Sequence, residues 1–313
     1  MIKLSLSKIE EAMETMDSHI PVMHREVIES LNISPNAVIV DCTLGLAGHS
    51  KMIVEKMGPE GKLIGIDRDN QSLAKAKENL GDCEAQCEFV HDDFRHIDRI
   101  LSERSINHVD GILMDLGISS FQLNNPQRGF SFKNDGPLDM RMDQESYISA
   151  YDLINSLSEE EISSILKNFG EERYHHRIAR HLVEQRSKTP FQTTQELSEA
   201  IVKSIPGHSR HQKIHPATRA FQAFRIAVNR ELEALEITLD KSIDYLRPGG
   251  RICVIAFHSL EDRIVKHKFR AYVKDNKVKL ITKKPLWPTE EEVEENSRAR
   301  SARLRVAERI QNS

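Results

Sequence analysis

No apolar run in this 313-residue chain approaches the roughly 20 residues that a membrane-spanning helix needs. The opening residues 1–14 also lack the apolar stretch of a secretory signal. Cysteine is scarce, with four in all, which suits a reducing compartment. Cys42 and Cys253 sit in apolar strand patterns and are expected reduced and buried. Cys83 and Cys87 have no His or Cys pair near enough to complete a zinc site, so no metal is expected. Excess positive charge is missing too. The net charge is −4, so any nucleic-acid surface must be a local patch. These absences point to a cytoplasmic globular protein, and its length suggests about two domains.

What is present centres on Val38-Ile39-Val40-Asp41-Cys42-Thr43-Leu44-Gly45-Leu46-Ala47-Gly48-His49-Ser50. β-Branched residues end at a carboxylate, small residues turn, and a helical pattern begins. Small residues let a ligand approach the backbone, and free N–H groups at a helix start face it. About twenty residues on, Lys62-Leu63-Ile64-Gly65-Ile66-Asp67 is a second strand ending in a carboxylate, suited to a ribose diol. The pair reads as a nucleoside-binding βαβ unit. The bland alternative is a turn with no ligand. Thr43 stands where a dinucleotide fingerprint has its first Gly. That weakens a nicotinamide reading and favours a ligand without pyrophosphate, S-adenosylmethionine above all.

Taken in order, the pattern predicts a helix at 25–31, a strand at 36–41, a helix at 50–57 and a strand at 62–66. A helix at 71–80 and strands at 85–90 and 110–114 follow. Strands alternating with helices argue for a doubly wound, mostly parallel sheet, with ligands bound beyond the strands' carboxyl ends. Asp41, Asp67, Asp92-Asp93-Phe94 and Asp115 each follow a strand end. Residues 121–139 lack a period and read as a long ordered loop, and such loops are usually functional. Helical patterns then cover 147–153, 158–168, 173–186 and 194–203. One long helix is expected at 217–246. A strand at 251–257, a helix to about 273, and strands at 277–282 and 302–307 close the chain. The division expected is an extension at 1–18, a core at 19–142, a helical insertion at 143–212 that recognises RNA, and the rest of the core at 213–313.

Longer motifs are more specific. Pro21-Val22-Met23-His24-Arg25-Glu26, Asp115-Leu116-Gly117-Ile118-Ser119-Ser120-Phe121-Gln122 and Arg128-Gly129-Phe130-Ser131-Phe132 are three of them. Leu138-Asp139-Met140-Arg141-Met142, Gly170-Glu171-Glu172-Arg173, His215-Pro216-Ala217-Thr218-Arg219, Phe257-His258-Ser259-Leu260-Glu261-Asp262-Arg263 and Ser297-Arg298-Ala299-Arg300-Ser301-Ala302 complete the set. With these the chain resembles the bacterial 16S ribosomal RNA cytosine-N4 methyltransferases, the MraW or methyltransferase H family, from about residue 19 to 309. Ala47, where many members have Gly, and Phe121 are mild departures. The resemblance implies a Class I methyltransferase fold, Rossmann-like, with a helical insertion domain. It implies methyl transfer from S-adenosylmethionine to N4 of a P-site cytidine in the decoding centre, with 16S RNA or the small subunit as partner. A homodimer is left open. For the cofactor it carries over Ala47, Gly48, His49, Asp67, Phe94, Asp115 and Gln122. Asp67 would hold the ribose, Phe94 would pack on adenine, and Asp115 would face the sulfonium.

The cytosine amine is a poor nucleophile, because its lone pair is delocalised into the ring. A useful site accepts its hydrogen bonds and holds it in line with the methyl group. Asp115 is the candidate catalytic residue. The alternative is that it only binds cofactor or orders its loop, since Leu116-Gly117 replaces the prolines common in amino methyltransferases. Arg128, Phe130, Phe132 and Arg141 are candidates for unstacking the base, or else the phenylalanines anchor the loop. Ser259 is expected to cap a helix, with Asp262 reaching back, rather than to form a hydrolytic triad. His175, His176, Arg177, Arg180, Arg186, His208, Arg210, His211, Lys213, His215 and Arg219 read as an RNA-facing patch or a plain solvated face. Arg298, Arg300, Arg303 and Arg305 form a second basic group with the same two readings. A nicotinamide-dependent oxidoreductase and a noncatalytic ribosome-assembly factor are the rivals. Calorimetry with NADH against adenosylmethionine tests the first, and methyl transfer to ribosomal RNA tests the second.

Overall fold

A computed structural model describes residues 21–210 and 214–311. The expected extension at 1–18 and the patch members His211 and Lys213 lie outside those residues. Strands β1 (Val38–Asp41), β2 (Lys62–Asp67), β3 (Gln86–His91), β4 (Val109–Asp115), β5 (Leu246–Ala256), β6 (Val278–Leu280) and β7 (Arg303–Arg309) form one sheet in the order β3-β2-β1-β4-β5-β7-β6. The first five run parallel, and β7 is antiparallel to both neighbours. This is the expected doubly wound sheet with its closing antiparallel pair. The order reverses between β1 and β4, so Asp41 and Asp115 end adjacent strands at the switch point. No helix among the described residues is long and apolar enough to cross a membrane.

Helices cover both faces. They are α1 (His24–Leu31), α2 (Gly48–Val54), α3 (Asn70–Leu80), α4 (Ile97–Ser102), α11 (Glu231–Tyr245), α12 (Ser259–Lys274) and the short α13 (Glu290–Glu295). Two buried clusters result, one around Ile39, Leu113 and Leu304, the other around Ile112, Val254 and Phe269. Central strands buried on both faces are apolar almost without interruption, as parallel strands must be.

A third core lies outside the sheet. It is built by α6 (Ala150–Ser156), α7 (Glu159–Gly170), α8 (His175–Arg186), α9 (Thr194–Ser204) and α10 (Thr218–Asn229). Its buried members run from Phe130 to Phe224, wider than the segment 143–212. Side-chain caps start three of these five, α6 at Ser149, α7 at Ser158 and α9 at Thr193, each closed reciprocally by Asp152, Glu161 or Glu196.

Three expectations are corrected. The single helix at 217–246 is two, because Arg230 takes a left-handed φ of 51° between α10 and α11. Asn229 explains the break. Its side chain donates to Met140 O and Arg225 O and accepts from Met142 N, bonds that fix the chain there. The residues 121–139 are not wholly irregular. They hold α5 (Ser120–Asn124) and a 3₁₀ turn, Pro126–Arg128. Gly129 and Gly136 let this segment fold on itself, since a Cβ at Gly136 would sit 1.9 Å from Pro126 O. Finally, α12 is capped by His258, whose Nδ1 accepts from Glu261 N, while Glu261 reaches back to the N–H groups of Phe257 and His258. Ser259 is not the cap, and Asp262 instead pairs with Arg305 and Arg303.

Candidate active site

The β1–α2 loop is held by strand-end carboxylates. Asp41 accepts from Thr43 N and from Ser50 Oγ at 2.7 Å. Asp67 accepts from Gly45 N at 2.7 Å and from Asp69 N at 2.8 Å. Thr43 Oγ1 accepts from Asp115 N, which ties the loop to β4. Ala47 caps α2 at φ 64°, a left-handed conformation that costs a non-glycine residue on the order of 1 kcal/mol. A Gly at this position would avoid that cost.

His49 is buried at the start of α2. Its Nε2 donates to Val22 O at 2.9 Å, so the neutral ring leaves Nδ1 without a proton. That Nδ1 lies 3.4 Å from Asp115 Oδ2. Burial lowers the His49 pKa. Burial, and then the charges of Asp41 and Glu261, push the Asp115 carboxyl well above its ordinary range. Asp115 Oδ1 is buried with no protein partner. Burial also raises Asp41 and Asp67. Three strand-end carboxyls with raised pKa at one end of one sheet mark a candidate functional site.

Ala47, Gly48, His49, Asp67 and Asp115 are therefore brought together by the β1–α2 loop and the ends of β2 and β4. Phe94 stands beyond β3 in a 3₁₀ turn, with the Arg68 guanidinium 5.6 Å from its ring centre. Gln122 is buried and engaged with protein. Its Oε1 accepts from Ser119 N, and its Nε2 donates to Asp69 Oδ2.

Sequence reasoning missed the hub beneath this crevice. Arg128 Nη1 donates to Asp69 Oδ2 at 2.7 Å, and Nη2 donates to Arg141 O and Met142 O. Arg128 is buried, with both Nη groups spent on these bonds and Nε without a partner, so it does not stack on a base. Phe130 is buried, and Phe132 stacks on His215 with ring centres 4.6 Å apart. Both anchor the loop. Arg141 is bound to Asp139 and Ser146 O.

The basic groups are mostly engaged as well. Arg186 donates to Ile154 O and Leu157 O, Arg210 to Ile205 O and Lys203 O, and Arg177 to Ser204 O. Arg303 and Arg305 hold Asp262, and Arg298 bonds Ser120 and Asn124. Arg180 is 69% exposed, 3.6 Å from Glu159. Two open hollows of about 390 and 320 Å³ meet at His176, the first reaching Lys167 and the second Arg177, Arg180 and Lys203. Glu231, His258 and Glu261 also bring ligand atoms within 4.8 Å of one another. Both Glu231 oxygens are held by Arg225, so the group is an internally balanced charge cluster.

Comparison with known proteins gives one answer. A family model described as the MraW methylase family matches residues 16–310. Ribosomal RNA small subunit methyltransferase H of Clostridium botulinum (strain Kyoto / Type A2) is 50% identical over 307 residues, covering 93% of this chain and 99% of that protein. The protein of the same name from Clostridioides difficile (strain 630) is 46% identical with the same coverage. Among solved structures, a putative rRNA-methylase from Clostridium thermocellum aligns over 100% of this chain and 99% of its own, with 12% identity and a TM-score of 0.46.

Proposed function

The chain belongs to the MraW methylase family, and from that premise we propose that it methylates N4 of a P-site cytidine in 16S ribosomal RNA, in the cytoplasm. One observation carries the reading. The β1–α2 loop, Asp67 and Asp115 converge at the switch point, where Asp115 Oδ1 is buried without a partner. These residues fit S-adenosylmethionine. Asp67 has carboxylate lone pairs left for a ribose diol, and the backbone at Ala47, Gly48 and His49 lines the turn. Gln122 acts through Asp69, and Phe94 offers a face to adenine. The cofactor supplies an electrophilic methyl group. On accepting it, the cytosine amine must give up one proton, and Asp115 is placed to take it. Mass spectrometry of 16S RNA from a deletion strain tests the reading. Loss of N4-methylcytidine at that position is expected, and an unchanged methylation pattern overturns it.

Asp67→Ala is expected to weaken adenosylmethionine binding by about 1–3 kcal/mol, the scale of losing hydrogen bonds to a charged group. Unchanged affinity in titration calorimetry would remove Asp67 from the ribose site.

The insertion serves RNA rather than cofactor in this reading. Its support is the second hollow, where Arg177, Arg180 and Lys203 outnumber Glu184. Replacing Arg177 and Arg180 together with Glu is expected to weaken RNA binding and flatten its salt dependence, because each lost phosphate contact removes released counterions. Cofactor affinity should stay put. An unchanged salt slope places the RNA surface elsewhere.

A further inference from the structure

The start of α12 holds a donor that the cofactor reading leaves unused. His258 Nδ1 accepts from Glu261 N at 3.3 Å, so the neutral ring keeps its hydrogen on Nε2. That Nε2 is buried, and its charge partner is Glu261 Oε1, 3.2 Å away. No other acceptor meets it among the described residues, and a buried donor so thinly satisfied calls for an explanation.

The neighbouring strand end supplies the other half. Asp115 ends β4 opposite Ile255 in β5, and Leu116 N donates to Ile255 O. A Cβ on Gly117 would lie 3.6 Å from the Phe257 ring, so the two chains stay side by side past the strand ends. Glu261, bonded to the backbone of Phe257 and His258, acts electrostatically on Asp115. One unpaired acceptor, Asp115 Oδ1, and one donor held only by the Glu261 carboxylate, His258 Nε2, therefore sit on adjacent strand ends. The start of α12 is itself fixed. Ser259 Oγ and Arg263 both bond Glu171, at the end of α7.

We propose that His258 reads the target base: its Nε2–H donates to ring N3 of the cytosine while Asp115 accepts from the N4 amine. The inference rests on the methyltransferase reading above. Cytosine presents a donor at position 4 beside an acceptor at N3. Uracil presents the reverse, an oxygen at position 4 and N3–H. Against uracil the same two residues would set acceptor to acceptor and donor to donor, which rejects it more strongly than the loss of a contact would. His258 is thus a specificity residue that touches the base.

The test pairs protein and substrate changes. Small subunits are reconstituted with 16S RNA carrying cytidine or 3-deazacytidine, which has C–H at N3, at the target position. Wild type is expected to methylate the 3-deaza substrate about tenfold more slowly or worse, and to bind the RNA more weakly without cofactor. His258→Ala should lose a similar factor on cytidine and nothing further on 3-deazacytidine. His258→Gln, which keeps an N–H donor, should fall between and guards against misfolding in the Ala variant. If the two losses multiply, N3 is not the partner of His258 and the proposal is overturned. If wild type produces no N4-methylcytidine on the unmodified substrate, the methyltransferase reading itself fails, so the two failures are told apart.

Discussion

Asp115→Ala is expected to slow single-turnover methylation about a hundredfold or more at saturating adenosylmethionine, the scale of a positioned proton acceptor. The amine is oriented only in the reacting complex, so the loss belongs to the rate more than to RNA binding. Asp115→Asn keeps the shape and an acceptor oxygen but cannot take the proton, so its rate should lie between Ala and wild type. Full recovery of Asp115→Ala at saturating cofactor would reduce Asp115 to a binding residue.

The same carboxyl fixes a pH dependence. Its pKa is raised in the fold by burial first, and then by Asp41 and Glu261. A proton acceptor must be ionised, so the rate should climb as pH rises through that raised value, well above the usual carboxylate range. Stability runs the other way. A group whose folded pKa lies above its unfolded one stabilises the protein below the unfolded value and loses that contribution as pH rises through the folded one. Asp115→Asn removes a carboxyl that its surroundings make costly to ionise. At neutral pH it should therefore melt higher than wild type without ligand, and the gap should close on acidification. A melting difference that grows at low pH would contradict a raised Asp115.

Much of this arrangement was written locally. Strand–helix alternation gave the sheet, and Asp41, Asp67 and Asp115 each close an apolar run, so their convergence followed from topology alone. The β1–α2 loop was legible because small residues in a strand–helix turn have few other uses. What stayed hidden depends on partners far away in sequence. The break at Arg230 carries no Gly or Pro, and Asn229 fixes it through Met140 and Met142 in the segment before α6. His258 caps α12 because the buried Glu261 bonds back to the N–H groups of Phe257 and His258, which periodicity does not reveal. Arg128 read as a candidate for unstacking the base, in a long ordered loop. Its burial exists only because Asp69, 59 positions earlier, is buried opposite it.

That pair sets the largest expected effect on stability. Arg128 and Asp69 are 1% and 2% exposed, and the guanidinium also satisfies Arg141 O and Met142 O. Arg128→Met would strand the Asp69 carboxylate and two carbonyls in the interior. Breaking a buried pair from one side costs about 3–5 kcal/mol, against a total stability of about 5–15. Chemical denaturation should show the midpoint falling accordingly, and a loss under about 1 kcal/mol would mean the pair is not the closed hub described. Arg128→Lys should recover only part, since one ammonium cannot reproduce the planar fork. Adding Asp69→Leu to Arg128→Met removes the orphaned charge and should restore much of the stability. Cofactor affinity should not return with it. Asp69 also accepts from Gln71 N and Gln122 Nε2, and those bonds hold in place the backbone N–H that orients Asp67. A double variant that is stable yet binds adenosylmethionine weakly would separate two effects of Arg128, balancing a charge and aiming the Asp67 carboxylate.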